Sequence, residues 1–332
     1  MVIVLGVETS CDDTAAAVLE DRRALRANLV SSQDAVHAPY GGIVPEMASR
    51  QHIGVIQPLV DRALEEAGVA PGELDGMAVT YGPGLTGSLL VGLSFVKGWS
   101  FRSGIPYVGV NHLEAHVLSI FLEKEVAFPY LALVASGGHT LLYVVRGFGD
   151  YEHLGGTLDD AAGEAYDKVA KMMGLGFPGG RVIDDLAKKG DLRAVAFPRA
   201  RLRTPYDFSF SGLKTSVWHY LTRKRQDRWR DEMADIAASF QEAVVDMLIA
   251  PTLRAAAELG IERIVLGGGV SANSRLRGKM AEKAGEAGVE VNYPSPRFCT
   301  DNGAMVALVG SHRLAQGGRN GPRLNADPAL IL

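Results

Sequence analysis

The same sentence is written twice in this chain, and that repeat limits its fold more than any other feature. Val2-Ile3-Val4-Leu5-Gly6-Val7 ends in the polar turn Glu8-Thr9-Ser10-Cys11-Asp12-Asp13-Thr14, and a second apolar run, Ala15 to Leu19, follows directly. Tyr130 to Ala135, the turn Ser136-Gly137-Gly138-His139-Thr140 and the run Leu141 to Val145 repeat the pattern. Each copy reads as strand, tight turn, strand. Two hairpins of one design imply two halves of related architecture. Helical patterns are expected over Gln51–Gly68, Ser88–Phe101, Leu113–Leu122, Leu158–Met173 and Asp231–Leu259. A further buried strand, Ile261 to Leu266, runs into Gly267-Gly268-Gly269 ahead of a helix near Ser274. Strands interleaved with helices predict an α/β protein, and 332 residues fit two domains.

Composition excludes several classes. Hydrophobic residues make up 47% and charged residues 22%, which is globular and not disordered. Two cysteines, Cys11 and Cys299, cannot build a disulfide framework, so a reducing, cytoplasmic setting is expected. Met1 to Leu5 carry no basic leader, so no secretory signal is expected, and no membrane helix is expected from the apolar runs. Charge is uneven in one place. Arg193 to Arg230 sums to +8 in a chain of net −4, leaving −12 elsewhere. Tyr206, Phe208, Phe210, Trp218, Tyr220 and Trp229 are interspersed with those charges. Such a stretch is either a solvated face with core aromatics or a phosphate-attracting patch where bases stack.

Candidate chemistry is concentrated in short motifs. Asn111-His112-Leu113-Glu114-Ala115-His116 sets two imidazoles at i and i+4, on one helix face, where they can grip one metal ion. Two surface histidines have the same spacing. The order is not His-Glu-x-x-His, and Glu114 points away from the metal face, which argues against a peptidase. Asp301, in Cys299-Thr300-Asp301-Asn302-Gly303, is the best third ligand, with Cys299 competing for the role. The Gly-rich turns can be hairpin chemistry, or places where backbone N–H groups approach a phosphate. Gly267 to Gly269 suits an adenosine lying against backbone, with Asn273 and a helix start available. Asp167, beside Phe177-Pro178-Gly179-Gly180, can hold a ribose hydroxyl or be simply solvated.

Taken in order, these motifs with Gly82-Pro83-Gly84-Leu85-Thr86-Gly87 and Asp159 to Lys168 resemble, over essentially the whole chain, the bacterial TsaD family of tRNA adenosine threonylcarbamoyltransferases, once misnamed O-sialoglycoprotein endopeptidases. Two positions depart from the pattern. Arg181 stands where many relatives have Pro, and Thr86 where they often have Val or Ala; neither removes a donor or ligand. The resemblance implies two related domains of the actin/Hsp70/sugar-kinase (ASKHA) superfamily with a nucleotide cleft between them. They are expected at 1–110 with a C-terminal helix at 305–325, and at 111–304, the latter carrying the metal and most nucleotide contacts. It implies acyl transfer from threonylcarbamoyl-AMP to N6 of the adenosine adjacent to the anticodon, position 37 of tRNAs reading ANN codons, with release of AMP. His112, His116 and Asp301 should bind one divalent ion, Fe(2+) or Zn(2+). Val134, Ala135, Ser136, Gly137, Gly138, Asp167, Gly180, Asp184 and Asn273 should line the adenylate pocket. Ser10 and Asp12 are a candidate phosphate loop, and no single acid or base is assigned. The partners implied are tRNA, a TsaB-type paralogue and a TsaE-type ATPase, with no membrane. Arg223, Lys224 and Arg225 are candidate tRNA contacts from the basic segment. The competing readings are an ASKHA-type small-molecule kinase and a metallopeptidase.

Overall fold

The computed structural model describes residues 1–223 and 225–332; Lys224 and the side chains of residues 225–228 lie outside the description. The chain begins with strands β1 (Ile3–Glu8), β2 (Thr14–Glu20) and β3 (Ala24–Ser31), a single turn α1 (Asp34–His37), and helix α2 (Pro45–Ala67). Strand β4 (Gly76–Gly82), helix α3 (Thr86–Ser103), strand β5 (Tyr107–Asn111) and helix α4 (His112–Leu118) follow. Then come β6 (Tyr130–Ala135), β7 (Thr140–Gly147), β8 (Asp150–Gly156), α5 (Ala162–Met172), α6 (Gly179–Ala187), α7 (Ser211–Arg223) and α8 (Met233–Leu259). The chain closes with β9 (Arg263–Gly267), α9 (Ser274–Glu286), β10 (Glu290–Asn292), a turn α10 (Pro296–Cys299) and α11 (Gly303–Ala315).

Two compact units result, one of residues 1–125 with 300–332 and the other of residues 126–299. Each holds a five-stranded sheet, ordered β3-β2-β1-β4-β5 in the first and β10-β9-β6-β7-β8 in the second. The orders are the same when the second is read backwards. In each, a central strand pairs antiparallel with its hairpin partner and parallel with a later strand: β1 with β2 and β4, β6 with β7 and β9. The doubled hairpin of the sequence is therefore the centre of each sheet.

Alternation along β1 explains how the first unit packs. Leu5 and Val7 join a core with Ile56, Val60 and Leu64 of α2 and Leu93 and Val96 of α3. Gly6 faces the other way, and a Cβ there would lie 2.2 Å from the Gly303 carbonyl oxygen and 2.5 Å from Ala307 N. Only glycine lets α11 lie so close on that face, which Glu8 shares by the two-residue period.

The division differs from the expected one. α4 was assigned to the second half, but Arg313 of α11 donates to the Gly109 carbonyl oxygen and to Glu114, both at 2.5 Å, and ties β5 and α4 into the first unit. Residues 300–304 belong there too: Asn302 caps α11 and Ala304 N donates to Asn28 Oδ1. The metal-ligand candidates thus all fall in the first unit. The C-terminal helix ends at Ala315, and the chain beyond it returns along β5 and β4, where Asn320 N donates to the Tyr107 oxygen and Asp327 N to the Tyr81 oxygen. Contrary to the expectation for apolar runs, the helix ending at Leu259 is long and apolar enough to cross a membrane. Its apolar side chains, Phe240, Val244 and Leu248 among them, are buried in the second unit's core.

A candidate metal centre and a candidate nucleotide pocket

In the first unit, β5 ends at Asn111, whose side-chain oxygen accepts from Leu113 N at 2.8 Å and Glu114 N at 3.3 Å. This cap starts α4 at once and brings His112 and His116 to one face. Their rings meet edge to face, 4.6 Å between centroids. Asp301 Oδ1 stands 3.1 Å from His116 Nε2 and 3.7 Å from His112 Nε2. One ligand atom from each of the three residues lies within 4.8 Å of the others. Both histidines are buried, which excludes the reading of two surface histidines.

Glu8, at the end of β1, was not foreseen. It is fully buried, and Oε2 lies 3.1 Å from His112 Nδ1 while accepting from Thr80 Oγ1 at 2.7 Å. Oε1 accepts from Ser10 N at 2.5 Å. Burial pushes the Glu8 carboxyl up, but His112 outweighs that and holds it below the usual range. An ionised carboxylate has no proton to give, so His112 Nδ1 carries the hydrogen and Nε2 turns to Asp301. Burial also opposes charge on His112, yet Asp301 and Glu8 together push it up to about 9. Nearby, burial and Asp301 raise Asp12, and burial, Asp301 and Asp12 push Asp13 up to about 7. Positive charge is therefore favoured at the point shared by the two Nε2 atoms and Asp301 Oδ1. Two imidazoles and a carboxylate with open positions suit a divalent transition metal, and the residues present fit one.

Other candidates find different places. Cys299 Sγ accepts from Arg277 Nη2 at 3.1 Å in the second unit and is no part of the triad. Ser10 Oγ lies 3.1 Å from His112 Nδ1 and its N–H donates to Glu8, so Ser10 is engaged with the candidate metal group. Glu114 is buried and paired with Arg313, which leaves a peptidase without its base. A signal for Glu8 was present: a carboxylate closing a strand of otherwise apolar residues.

The second unit brings the nucleotide candidates together around the β6–β7 turn. Val134 and Ala135 are fully buried, so what they offer is backbone. Ser136 N donates to the His139 oxygen at 2.8 Å and His139 N to Ser136 Oγ at 3.1 Å. Gly137 and Gly138 form the exposed tip, with nothing within 4 Å of a Cβ built on either. Gly163, at the start of α5, donates its N–H to the Ser136 oxygen at 3.0 Å, and a Cβ there would come 2.6 Å from that oxygen. Gly268 has φ +83°, and a Cβ there would lie 2.4 Å from the Ala135 oxygen.

Helix starts supply the rest. Asp167 Oδ1 accepts from Gly179 N at 2.7 Å, and Gly180 has open space on its Cβ side. Asp184 accepts from Ser274 Oγ at 2.8 Å and so ties α6 to the start of α9. Asn273 is committed to protein: its oxygen caps α9 at Leu276 N, and Nδ2 donates to Gln241 at 2.7 Å and lies 3.4 Å from the Tyr166 hydroxyl. Asn273 thus joins the start of α9 to α8 and α5. Gln241 and Tyr166, its partners, were hidden from sequence reasoning in ordinary helical runs. Of the candidate tRNA residues, Arg223 ends α7 with an exposed side chain, while Lys224 and the Arg225 side chain lie outside the described residues.

Comparison with known proteins bears on the family and the fold. The chain is 53% identical to the tRNA N6-adenosine threonylcarbamoyltransferase of Anaeromyxobacter sp. (strain Fw109-5), covering 99% of each chain. It is 51% identical to the protein of that name from Syntrophotalea carbinolica, over 98% of this chain and 95% of that one. A full-length HypF solved in a phosphate- and nucleotide-bound form superposes with a TM-score of 0.61 at 15% identity, over 94% of this chain and 56% of that one, and shares the ASKHA fold. The TsaD family, described as tRNA N6-adenosine threonylcarbamoyltransferase, matches residues 24–308. The chain belongs to the TsaD family and is a transferase of tRNA modification.

Proposed function

We propose that the chain moves the threonylcarbamoyl group from threonylcarbamoyl-AMP to N6 of the adenosine at position 37, beside the anticodon, in tRNAs reading ANN codons. The bond from the carbamoyl carbon to the phosphate oxygen breaks, N6 bonds to that carbon and sheds one proton, and AMP leaves. The observation that carries this reading is the buried His112, His116 and Asp301 group, backed by Glu8, in a chain of this family.

AMP is a good leaving group, so the protein's task is positioning and charge stabilisation. The backbone N–H groups of Gly137 and Gly138, and the start of α6 at Gly180, are suited to the adenylate phosphate. Asp167, at the same helix start, is suited to the ribose. A divalent ion, iron or zinc, held by His112, His116 and Asp301 would polarise the carbamoyl oxygen and hold the threonyl portion. Glu8 and Ser10 fix the His112 ring for that purpose. A TsaB-type paralogue and a TsaE-type ATPase are the expected partners, and the cytoplasm, where tRNA is handled, the expected place. The experiment is mass spectrometry of tRNA nucleosides from cells depleted of the protein and complemented with wild type or His116→Ala. Loss of threonylcarbamoyladenosine, restored by wild type alone, is expected. Unchanged nucleosides on depletion refute the reading.

A further inference from the structure

Beside the second unit's core, residues 195–197 and helix α7 enclose a groove of about 610 Å³. That is within the roughly 300–1,000 Å³ of ligand sites. One stripe of α7 lines it: Gly212, Thr215, Ser216, His219, Tyr220 and Arg223. The opposite stripe, Leu213, Val217 and Leu221, is core. The floor is aromatic, with the Phe197 and Tyr220 rings 5.9 Å apart edge to face. The Tyr220 hydroxyl donates to Glu232 Oε2 at 2.8 Å, which fixes the ring's position. His219 stands at the rim against Trp218, which is 48% exposed.

Both walls are anchored. Asp159 accepts from Phe210 N at 2.7 Å, Ser211 N at 3.2 Å and Ser209 Oγ at 2.5 Å, which fixes the start of α7. Val195 N donates to Ser239 Oγ, and Arg199 pairs with Asp246. Charge selects the occupant. Among the described residues no carboxylate lines the groove, and the segment containing it is +8 against −12 for the remainder. Among the described residues, Arg193, Arg201, Arg203 and Arg223 form no ion pair, so their charge is uncompensated.

We propose that this groove is a nucleotide-binding subsite for the RNA substrate: one tRNA nucleotide places its phosphate on Arg223 and its base against His219 and the Phe197–Tyr220 floor. The proposal rests on the reading of the chain as a tRNA-modifying enzyme and adds where it grips the RNA. Asp159 also connects the groove to the adenylate candidates. It lies two residues before Ala161, the cap of α5, and the N–H of Gly163 on that helix bonds the Ser136 turn.

The test is equilibrium binding of fluorescent tRNA to the full-length, metal-loaded chain at pH 8 over a series of salt concentrations. Arg223→Gln should weaken binding severalfold and reduce the slope of log affinity against log salt by about 0.7–0.9, the loss of one phosphate contact. His219→Ala should weaken binding by about fivefold or more with the slope unchanged, because stacking releases no counterions. Arg62→Gln, a surface control on α2, should change neither. Metal content and AMP affinity should match wild type in all three. Cross-linking with 4-thiouridine-substituted tRNA should label the peptide spanning 212–223. Wild-type affinity and slope in both groove variants, with the cross-link elsewhere, overturn the proposal and give the groove to a peptide partner. If wild type itself binds no tRNA while its depletion still removes threonylcarbamoyladenosine from cells, the subsite falls and the enzyme reading stands.

Discussion

Glu8 Oε2 and His112 Nδ1 lie 3.1 Å apart, both buried, and this contact decides which nitrogen of His112 faces Asp301. With Nδ1–H committed to the carboxylate, Nε2 is the atom left for a ligand. Glu8→Ala should therefore leave all three metal ligands in place and still lower metal affinity by about 10–100-fold, as losses of such outer partners do. A competition titration with a chelator of known affinity measures it. Wild-type affinity in this variant would show that the Glu8 contact does not orient the ligand.

Gly180 separates a pocket from a mere turn. It sits in the first turn of α6 with open space where a Cβ would go, so Gly180→Ala should fold and melt like wild type. If AMP approaches that helix start, the added methyl occupies its space, and affinity should fall about tenfold or more in calorimetry. Gly268→Ala is the contrasting variant. Its Cβ would meet the Ala135 oxygen at 2.4 Å from a φ of +83°, so it should cost stability as well as binding. Unchanged AMP affinity in Gly180→Ala places the nucleotide elsewhere.

The repeated hairpin made the two sheets legible, because a strand–turn–strand pattern needs only a two-residue period and a polar break. His112 and His116 were legible from helical spacing, and Asp301 as the best carboxylate to join them. The boundary at 110 was misplaced because Asn111 ends β5 and caps α4 in the same step, so no loop marks where one unit stops. Arg313, far along the sequence, decides the matter by bonding Glu114. In the sequence Glu8 is marked only as a carboxylate closing an apolar strand; its pairing with His112 and that of Asn273 with Gln241 span 104 and 32 residues, which no local pattern records.

Asn111 carries two duties that substitution can separate. Its oxygen caps α4, and its Nδ2 donates to the Ile331 oxygen at 3.1 Å, fastening the returning C-terminal segment. Asn111→Ala removes both and should cost about 1–2 kcal/mol in urea unfolding, together with metal affinity, since His112 is the first residue of the helix. Asn111→Asp keeps the cap acceptor and loses only the Ile331 donor, so metal affinity should be largely retained. Equal loss of metal in both variants would assign the effect to the C-terminal contact instead of the cap.

Glu242 links α8 to α9 and makes part of the second unit's stability depend on acid pH. Arg275 donates to both of its oxygens, at 2.6 and 2.9 Å, and Lys279 to one at 2.5 Å. Burial pushes the carboxyl up, but these two cations outweigh it and hold it at about 2, below its ordinary 4.5. A carboxyl depressed in the folded state contributes stability that is complete above 4.5 and lost as pH falls toward 2. Between those values the folded side chain is ionised and the unfolded one protonated, so unfolding takes up a proton at this site. Glu242→Gln removes that uptake. The variant should be less stable than wild type above pH 4.5, and the gap should narrow steadily down to pH 2, as read from urea midpoints of the second unit's transition. Lys279 also pairs with Asp246, so the α8–α9 contact survives and the variant stays folded at neutral pH. A gap that stays constant with pH would mean that Glu242 is as easily protonated folded as unfolded, and that the ion pairs with Arg275 and Lys279 only offset its burial.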